Sequence, residues 1–306
     1  MAQAVTFDRY GDIGVLDVRE VPDPQPGPGR VAVDVVAAGI NPGESKIRTG
    51  ALHERWPATF PSGEGTDFAG RIAALGEGVG GVAVGDEVLG FSEERSSHAT
   101  RVVVPAEQIT PKPTALSWEV AGSLYVAGTT AFAAARAVSP ATGDTIAVSG
   151  AAGGVGAVVV QLLRERGVTV IGIAGPGNQE YLRELGAVPV VYGDGLADRL
   201  RALAPGGIDA FIDTYGTGYV ELALELGVKP DRIDTIADFA AVEKYGVKAE
   251  GNAAANTIDV LAELADLAAA GTLRIPIAAT YPLTAVRDAF TELERGHTRG
   301  KIVLLP

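Results

Sequence analysis

The run Thr145-Ile146-Ala147-Val148-Ser149-Gly150-Ala151-Ala152-Gly153-Gly154-Val155-Gly156, continued by Ala157-Val158-Val159-Val160-Gln161-Leu162, constrains the fold more than any other feature. A short apolar strand runs into a glycine turn and then into a helix. Such a turn lets backbone N–H groups approach a pyrophosphate, and the helix N-terminus supplies the positive end of its dipole. The fingerprint G-x-G-x-x-G is met as A-x-G-x-x-G, with Ala151 in the first position. With 40 glycines in the chain a bare match means little; the strand–turn–helix context gives it weight. Ala151, Gly153, Gly154 and Val155 are therefore candidate dinucleotide-binding residues.

The sequence around this run alternates in the same sense. Strands over 144–149, 168–173, 188–192 and 208–213 are each followed by a helix, over 154–166, 179–185, 196–203 and 219–226. Continuous apolar strands alternating with helices predict an α/β fold with a doubly wound parallel sheet. Before residue 117 the rhythm differs. Short β-type runs at 15–21, 31–36, 70–75, 87–89 and 100–104 are broken by Gly and Pro, which predicts a compact barrel-like β domain. The Pro- and Gly-rich stretch from Pro22 to Gly29 is a stiff loop between two of these strands. Ser117 caps a helix expected to run through about 138, and a helix over 284–295 with a strand over 301–305 closes the chain. A length of 306 residues suits two domains.

Composition narrows the function. A net charge of −13 without a Lys/Arg cluster speaks against nucleic-acid and polybasic membrane partners. The absence of cysteine excludes disulfides, iron–sulfur clusters, cysteine zinc sites and a cysteine nucleophile. No signal peptide and no apolar stretch near ~20 residues is visible, so a cytoplasmic chain is expected.

Cofactor choice is read after the second strand. NAD-binding folds place an acid there for the ribose 2′-OH. Here Ile173-Ala174-Gly175-Pro176-Gly177-Asn178-Gln179 has no acid before Glu180 and no base before Arg183. A 2′-phosphate would meet no repulsion, which favours NADPH, with NADH as the other possibility. Ala174, Gly175 and Asn178 are candidate contacts.

Several stretches, in order, resemble the zinc-independent, quinone oxidoreductase-like (zeta-crystallin-like) branch of the medium-chain dehydrogenase/reductase superfamily. They are Ala38-Gly39-Ile40-Asn41-Pro42 through Lys46, Arg48 and Gly50, with Glu44 where the family has Asp; Pro61-Ser62-Gly63-Glu64-Gly65-Thr66-Asp67-Phe68-Ala69-Gly70; Val84-Gly85-Asp86-Glu87-Val88; Gly128-Thr129-Thr130-Ala131-Phe132; the A-x-G-G-V-G turn; and Gly300-Lys301-Ile302-Val303-Leu304. The likeness covers nearly the whole chain. It implies a GroES-like catalytic domain over 1–120 and 265–306, a Rossmann dinucleotide-binding domain over 121–264, an active-site cleft between them, and a homodimer or homotetramer. It also implies that Asn41 is a polar group near nicotinamide and substrate, that Thr130 hydrogen-bonds near the nicotinamide, and that a Tyr follows the third Rossmann strand. Tyr192 stands one position from that place. On the residues alone, Asn41 reads equally as a turn Asn capping its own backbone. Lys46 and Arg48 are either cleft residues or a solvated face, and the loop 51–60 with His53, Trp56 and Phe60 is expected to shape the substrate pocket.

The zinc branch of the superfamily uses a Cys, a G-H-E histidine and a further ligand. Here those regions read Gly39-Ile40-Asn41 and Gly65-Thr66-Asp67, and His53, His98 and His297 stand apart. No metal is expected. Without a Lewis acid to lower an alcohol's pKa, the expected chemistry is hydride transfer from NADPH to an acceptor already electrophilic, a quinone or an α,β-unsaturated carbonyl. Two other readings stay open: an enoyl-thioester reductase of the same superfamily, and a non-catalytic NADPH-binding relative.

Overall fold

The computed structural model describes residues 1–306. They form two compact units: Met1–Val126 with Thr257–Thr272 and Pro276–Pro306, and Ala127–Asn256 with Leu273–Ile275. Helix Ile258–Ala269, which a boundary at 264/265 would split, lies wholly in the first unit.

In the first unit the ten-residue strand Arg30–Gly39 is the hub. It pairs antiparallel with Asp67–Leu75, with Arg101–Pro105 and with the C-terminal strand Lys301–Leu305. Glu87–Phe91, Ile109–Pro111 and Ile277–Pro282 complete a seven-stranded sheet, and a three-stranded sheet is built from Asp17–Val21, Ala2–Phe7 and Ser62–Gly63. The alternation in Val31, Val33 and Val35 sends these side chains to one face, where they bury against Phe68, Ile72, Val88 and Val102. This is the expected GroES-like β domain, with longer strands than the runs show: 30–39 rather than 31–36, and 67–75 rather than 70–75.

The second unit holds a five-stranded, all-parallel sheet ordered Val188–Val191, Thr169–Ala174, Thr145–Ser149, Ala210–Asp213, Ile233–Thr235. It is the expected Rossmann sheet. Ile171, Ile173, Phe211, Val220 and Ile233 are buried in one core cluster, and Phe211→Ala would cost ~3–5 kcal/mol. The last strand, only three residues long, is not visible in the sequence; beyond it a single parallel bridge joins Asp234 to Lys248.

The helix expected over 117–138 is two helices, Trp118–Ala121 and Tyr125–Ala137. Gly122 breaks it. A Cβ there would overlap Ala37 O, and Gly39 N–H donates to Gly122 O at 2.6 Å, so the chain turns where it meets the hub strand. The second helix restarts with Val126 N–H donating to Asp67 Oδ1 at 2.9 Å.

Candidate functional site

In the second unit the strand ends are tied together beneath the glycine turn. Ser149 Oγ donates to Asp213 Oδ1 at 2.5 Å, Thr214 Oγ1 donates to Ser149 O at 2.7 Å, and Thr235 Oγ1 donates to Asp213 Oδ2 at 2.7 Å. Asp213 Oδ1 also accepts the N–H groups of Tyr215 and Gly216. The turn rests on this floor. Gly150 has φ +59°, a region costly for residues with a Cβ. Gly153 N–H donates to Gly150 O at 2.9 Å, and the helix Gly154–Glu165 begins immediately after.

No side chain caps this helix and its first turn carries no acid. The first N–H groups of a helix have no intrahelical acceptor, so the turn keeps donors for an anion. Gly153, Gly154 and Val155 are partly exposed, whereas Ala151 is fully buried. The methyl of Ala151 lies 3.3 Å from where a Cβ on Gly172 would stand. The alanine thus fills the space left by a glycine in the neighbouring strand. Gly156 is structural: its Cβ would overlap Gly150 O and come within 2.8 Å of Ala151 Cα.

At the end of the second strand, Ala174 is buried and Gly175 leads into a 3-10 turn, Pro176–Asn178. Gln179 Nε2 donates to Ala174 O and Gly175 O, both at 3.1 Å, and pins the loop. A Cβ on Gly175 would lie 3.4 Å from the Tyr192 ring. The structure therefore brings Ala174, Gly175 and Tyr192 to one edge. Tyr192 is 46% exposed and lies just past its strand, which ends at Val191 rather than 192. The sequence reading missed Tyr215, 66% exposed, which stands edge-on to Tyr219 at 5.8 Å. Burial, then the neighbouring Tyr215, Asp213 and Tyr192, pushes the Tyr219 hydroxyl up to about 12. Thr130 is buried in the helix Tyr125–Ala137, and the neighbouring Thr129 Oγ1 accepts from Asn252 Nδ2 at 2.6 Å.

Asn41 belongs to a buried polar cluster in the first unit. It caps the helix Pro42–Arg48, with Pro42 at the first helical position and Glu44 closing a capping box. Asn41 N–H donates to Glu44 Oε2 at 2.8 Å, and Nδ2 donates to Glu44 Oε1 at 3.2 Å and to Asp67 Oδ2 at 3.3 Å. Its Oδ1 accepts from Lys301 Nζ. Both amide hydrogens are engaged, so one acceptor lone pair is what this side chain has left.

Around Asn41 stand three buried carboxyls, Glu44, Glu64 and Asp67, the buried cations Arg48 and Lys301, and the buried His98. Burial pushes Glu44 up to about 7 and raises Asp67, against the pull of Lys301. Burial and then the charge of Glu44 raise Glu64. Burial also takes His98 down to about 4, so its ring is neutral and Nε2 donates to Gly39 O at 3.2 Å. Arg48 is no solvated residue. It is fully buried over the Phe290 ring at 5.0 Å and pairs with Glu294 at 2.6 Å, whereas Lys46 is exposed. The loop 51–60 is anchored through Tyr10, whose hydroxyl accepts from Ala58 N–H and bonds His53 Nδ1 at 2.7 Å while its ring meets Phe60 edge-on.

Two family models match the chain: the alcohol dehydrogenase GroES-like domain over residues 27–114, and the zinc-binding dehydrogenase model over 185–304. The quinone oxidoreductase of Pseudomonas aeruginosa is 27% identical over 341 residues, covering 100% of both chains. The synaptic vesicle membrane protein VAT-1 homolog of mouse is 33% identical over 214 residues, 69% of this chain but 52% of that protein, so the match spans about half of that relative. The solved quinone oxidoreductase of Coxiella burnetii superposes with a TM-score of 0.87 at 29% identity, covering 100% of this chain and 99% of the other. The chain belongs to the medium-chain dehydrogenase/reductase superfamily, in its quinone oxidoreductase-like branch, and is an oxidoreductase at family level.

Proposed function

We propose that this chain is an NADPH-dependent reductase that passes hydride to a quinone or an α,β-unsaturated carbonyl without zinc. The observation that carries the reading is the uncapped helix start behind Gly150–Gly153. Its geometry fits a pyrophosphate, since the first N–H groups of this helix have no intrahelical acceptor and no side chain caps them. When bound, the reduced dinucleotide supplies the hydride.

The remaining steps rest on this chain's residues. Gly153, Gly154 and Val155 line the phosphate turn, whereas Ala151, expected there from the fingerprint, is buried beneath it with its N–H donated to Ile173 O. Ala174, Gly175, Asn178 and Tyr192 border the adenosine ribose, and the lack of an acid from Ala174 to Gln179 favours a 2′-phosphate. From the family match, Asn41 and Thr130 are each assigned to the nicotinamide, Asn41 with its one spare acceptor. The acceptor's oxygen takes its proton from water, so no dedicated acid is required.

The zinc-free assignment rests on the donor chemistry. The segment matched by the zinc-binding dehydrogenase model contains no cysteine and one histidine, His297, and an ammonium, that of Lys301, already sits on Asn41. A homodimer or homotetramer in the cytoplasm is the assembly proposed from the family, and no helix is long and apolar enough to cross a membrane. The test is loss of NADPH absorbance with a panel of quinones and enones, run beside NADH. Tight NADPH binding without turnover of any acceptor would instead support a non-catalytic relative.

A further inference from the structure

Lys301 is a buried cation that the reaction above does not use. Its backbone is fixed at the start of the C-terminal strand, where Lys301 N–H donates to Pro276 O at 2.9 Å. Gly300 before it adopts φ +79°, and a Cβ there would overlap Pro276 O. The side chain runs inward and is 5% exposed. Its ammonium donates to Ile40 O at 3.1 Å and to Asn41 Oδ1, and Asp67 Oδ2 lies at 3.6 Å. An ammonium carries three donors, and three oxygens surround this one, two from the adjacent residues Ile40 and Asn41 and one from Asp67.

Two neighbours depend on that charge. The Asn41 carboxamide turns its oxygen to Lys301, which leaves its nitrogen facing Glu44 and Asp67. Asp67 uses its other oxygen on Val126 N–H, at the first turn of the helix Tyr125–Ala137. The charged and titratable groups packed around them are Glu44 and Arg48 from helix Pro42–Arg48, Glu64, Asp67, the neutral His98, and Glu294, which is paired with Arg48. Arg48 has its partner in Glu294, so Lys301 is the cation that answers Asp67. Without it the Asn41 oxygen would lose its cation, and Asp67 would keep only the neutral donors Val126 N–H and Asn41 Nδ2.

We propose that Lys301 is a positioning residue: its ammonium sets the orientation of the Asn41 carboxamide and holds Asp67, and turnover at a site built on Asn41 depends on it. This rests on the assignment of Asn41 to the nicotinamide. The chain places an ammonium of its own beside that amide, and it does so from the last strand of the sequence.

The experiment uses the full-length protein with Lys301→Met, and with the double variant Lys301→Met/Asp67→Asn. The double variant removes both charges, and so protects against a fold lost to an unpaired buried carboxylate. Three quantities are measured in whichever variant folds: the side-chain amide resonances of Asn41, kcat and KM with one quinone, and the Kd for NADPH. A displaced carboxamide should shift the Asn41 resonances and lower kcat by roughly 10–100-fold, the loss expected for a misplaced polar group. KM and the NADPH Kd should stay within about threefold, because the phosphate turn is not touched. In Lys301→Ala, added ethylammonium should restore part of kcat, which a merely structural role would not allow. Wild-type kcat, an unmoved Asn41 resonance, or an equal loss of NADPH affinity in a folded variant would overturn the proposal. A wild-type protein that turns over no acceptor would instead overturn the reductase reading, and the Asn41 resonances would still decide the role of Lys301.

Discussion

Replacing Asp234 by Asn should stabilise this protein, by an amount that grows as pH rises from 3.8 to about 7. Asp234 is buried in the middle of the strand Ile233–Thr235. Its Oδ1 accepts Glu250 N–H at 2.7 Å, and its Oδ2 makes no hydrogen bond. Burial first, then the negative charges of Glu250 and Asp213, push the carboxyl from the usual 3.8 up to about 7, with the Glu250 N–H bond and Lys248 opposing. Between those two values the folded chain keeps a proton that the unfolded chain has released. Stability therefore falls as pH rises through this window, and the cost is complete above pH 7.

Three pH units at ~1.4 kcal/mol each put the upper bound at roughly 4 kcal/mol. Asparagine is isosteric and keeps the acceptor for Glu250, so the expected gain is about 2–4 kcal/mol at pH 8.5 and under ~1 kcal/mol at pH 4. Both tryptophans, Trp56 and Trp118, lie in the first unit, so urea unfolding of the second unit is best followed by circular dichroism. A difference between variant and wild type that is the same at both pH values would show that Asp234 is ionised in the fold, and the reasoning would fail.

The other predictions concern the dinucleotide and the metal. Gly153→Val and Gly154→Val should abolish NADPH binding in folded protein, measured by titration calorimetry. Gly156→Ala should instead cost about 1–3 kcal/mol of stability, because its Cβ overlaps Gly150 O. Gly177→Arg has open space for its Cβ and should sharpen the NADPH preference by ~1.5–3 kcal/mol, or about one to two decades in the ratio of Michaelis constants. Gly175→Asp should turn the preference towards NADH, and an unchanged ratio would mean that this loop does not meet the adenosine ribose. Elemental analysis should find no stoichiometric zinc, and activity should survive a chelator; about one zinc per chain with activity lost on chelation would contradict this.

The parts of the fold legible in the sequence are those set by local patterns. The turn from Gly150 to Gly156 was readable because strand, turn and helix follow within one stretch, each with its own signal. The helix Pro42–Arg48 was not read, although Asn41-Pro42-Gly43-Glu44 carries a capping box and a first-position proline; seven residues are too few for apolar periodicity to show. The strand Ile233–Thr235 stayed hidden because Asp234 interrupts a three-residue run and finds its partner at Glu250. The polar cluster was the least legible. Lys301 lies 260 positions from Asn41, and a Lys or Glu met singly in a sequence reads as surface. Only the pairing of the last strand with Arg30–Gly39 brings Lys301 inside.

The proposed reaction is hydride transfer from the nicotinamide to an electrophilic carbon. Its most direct test is the reduction of an enone with NADPH deuterated at either face of the nicotinamide C4, followed by mass spectrometry of the product. One of the two labelled forms should deliver its deuterium to the β-carbon, while the α-carbon takes its hydrogen from water. Product formed without deuterium from either form, or no NADPH oxidation with any quinone or enone, would contradict it.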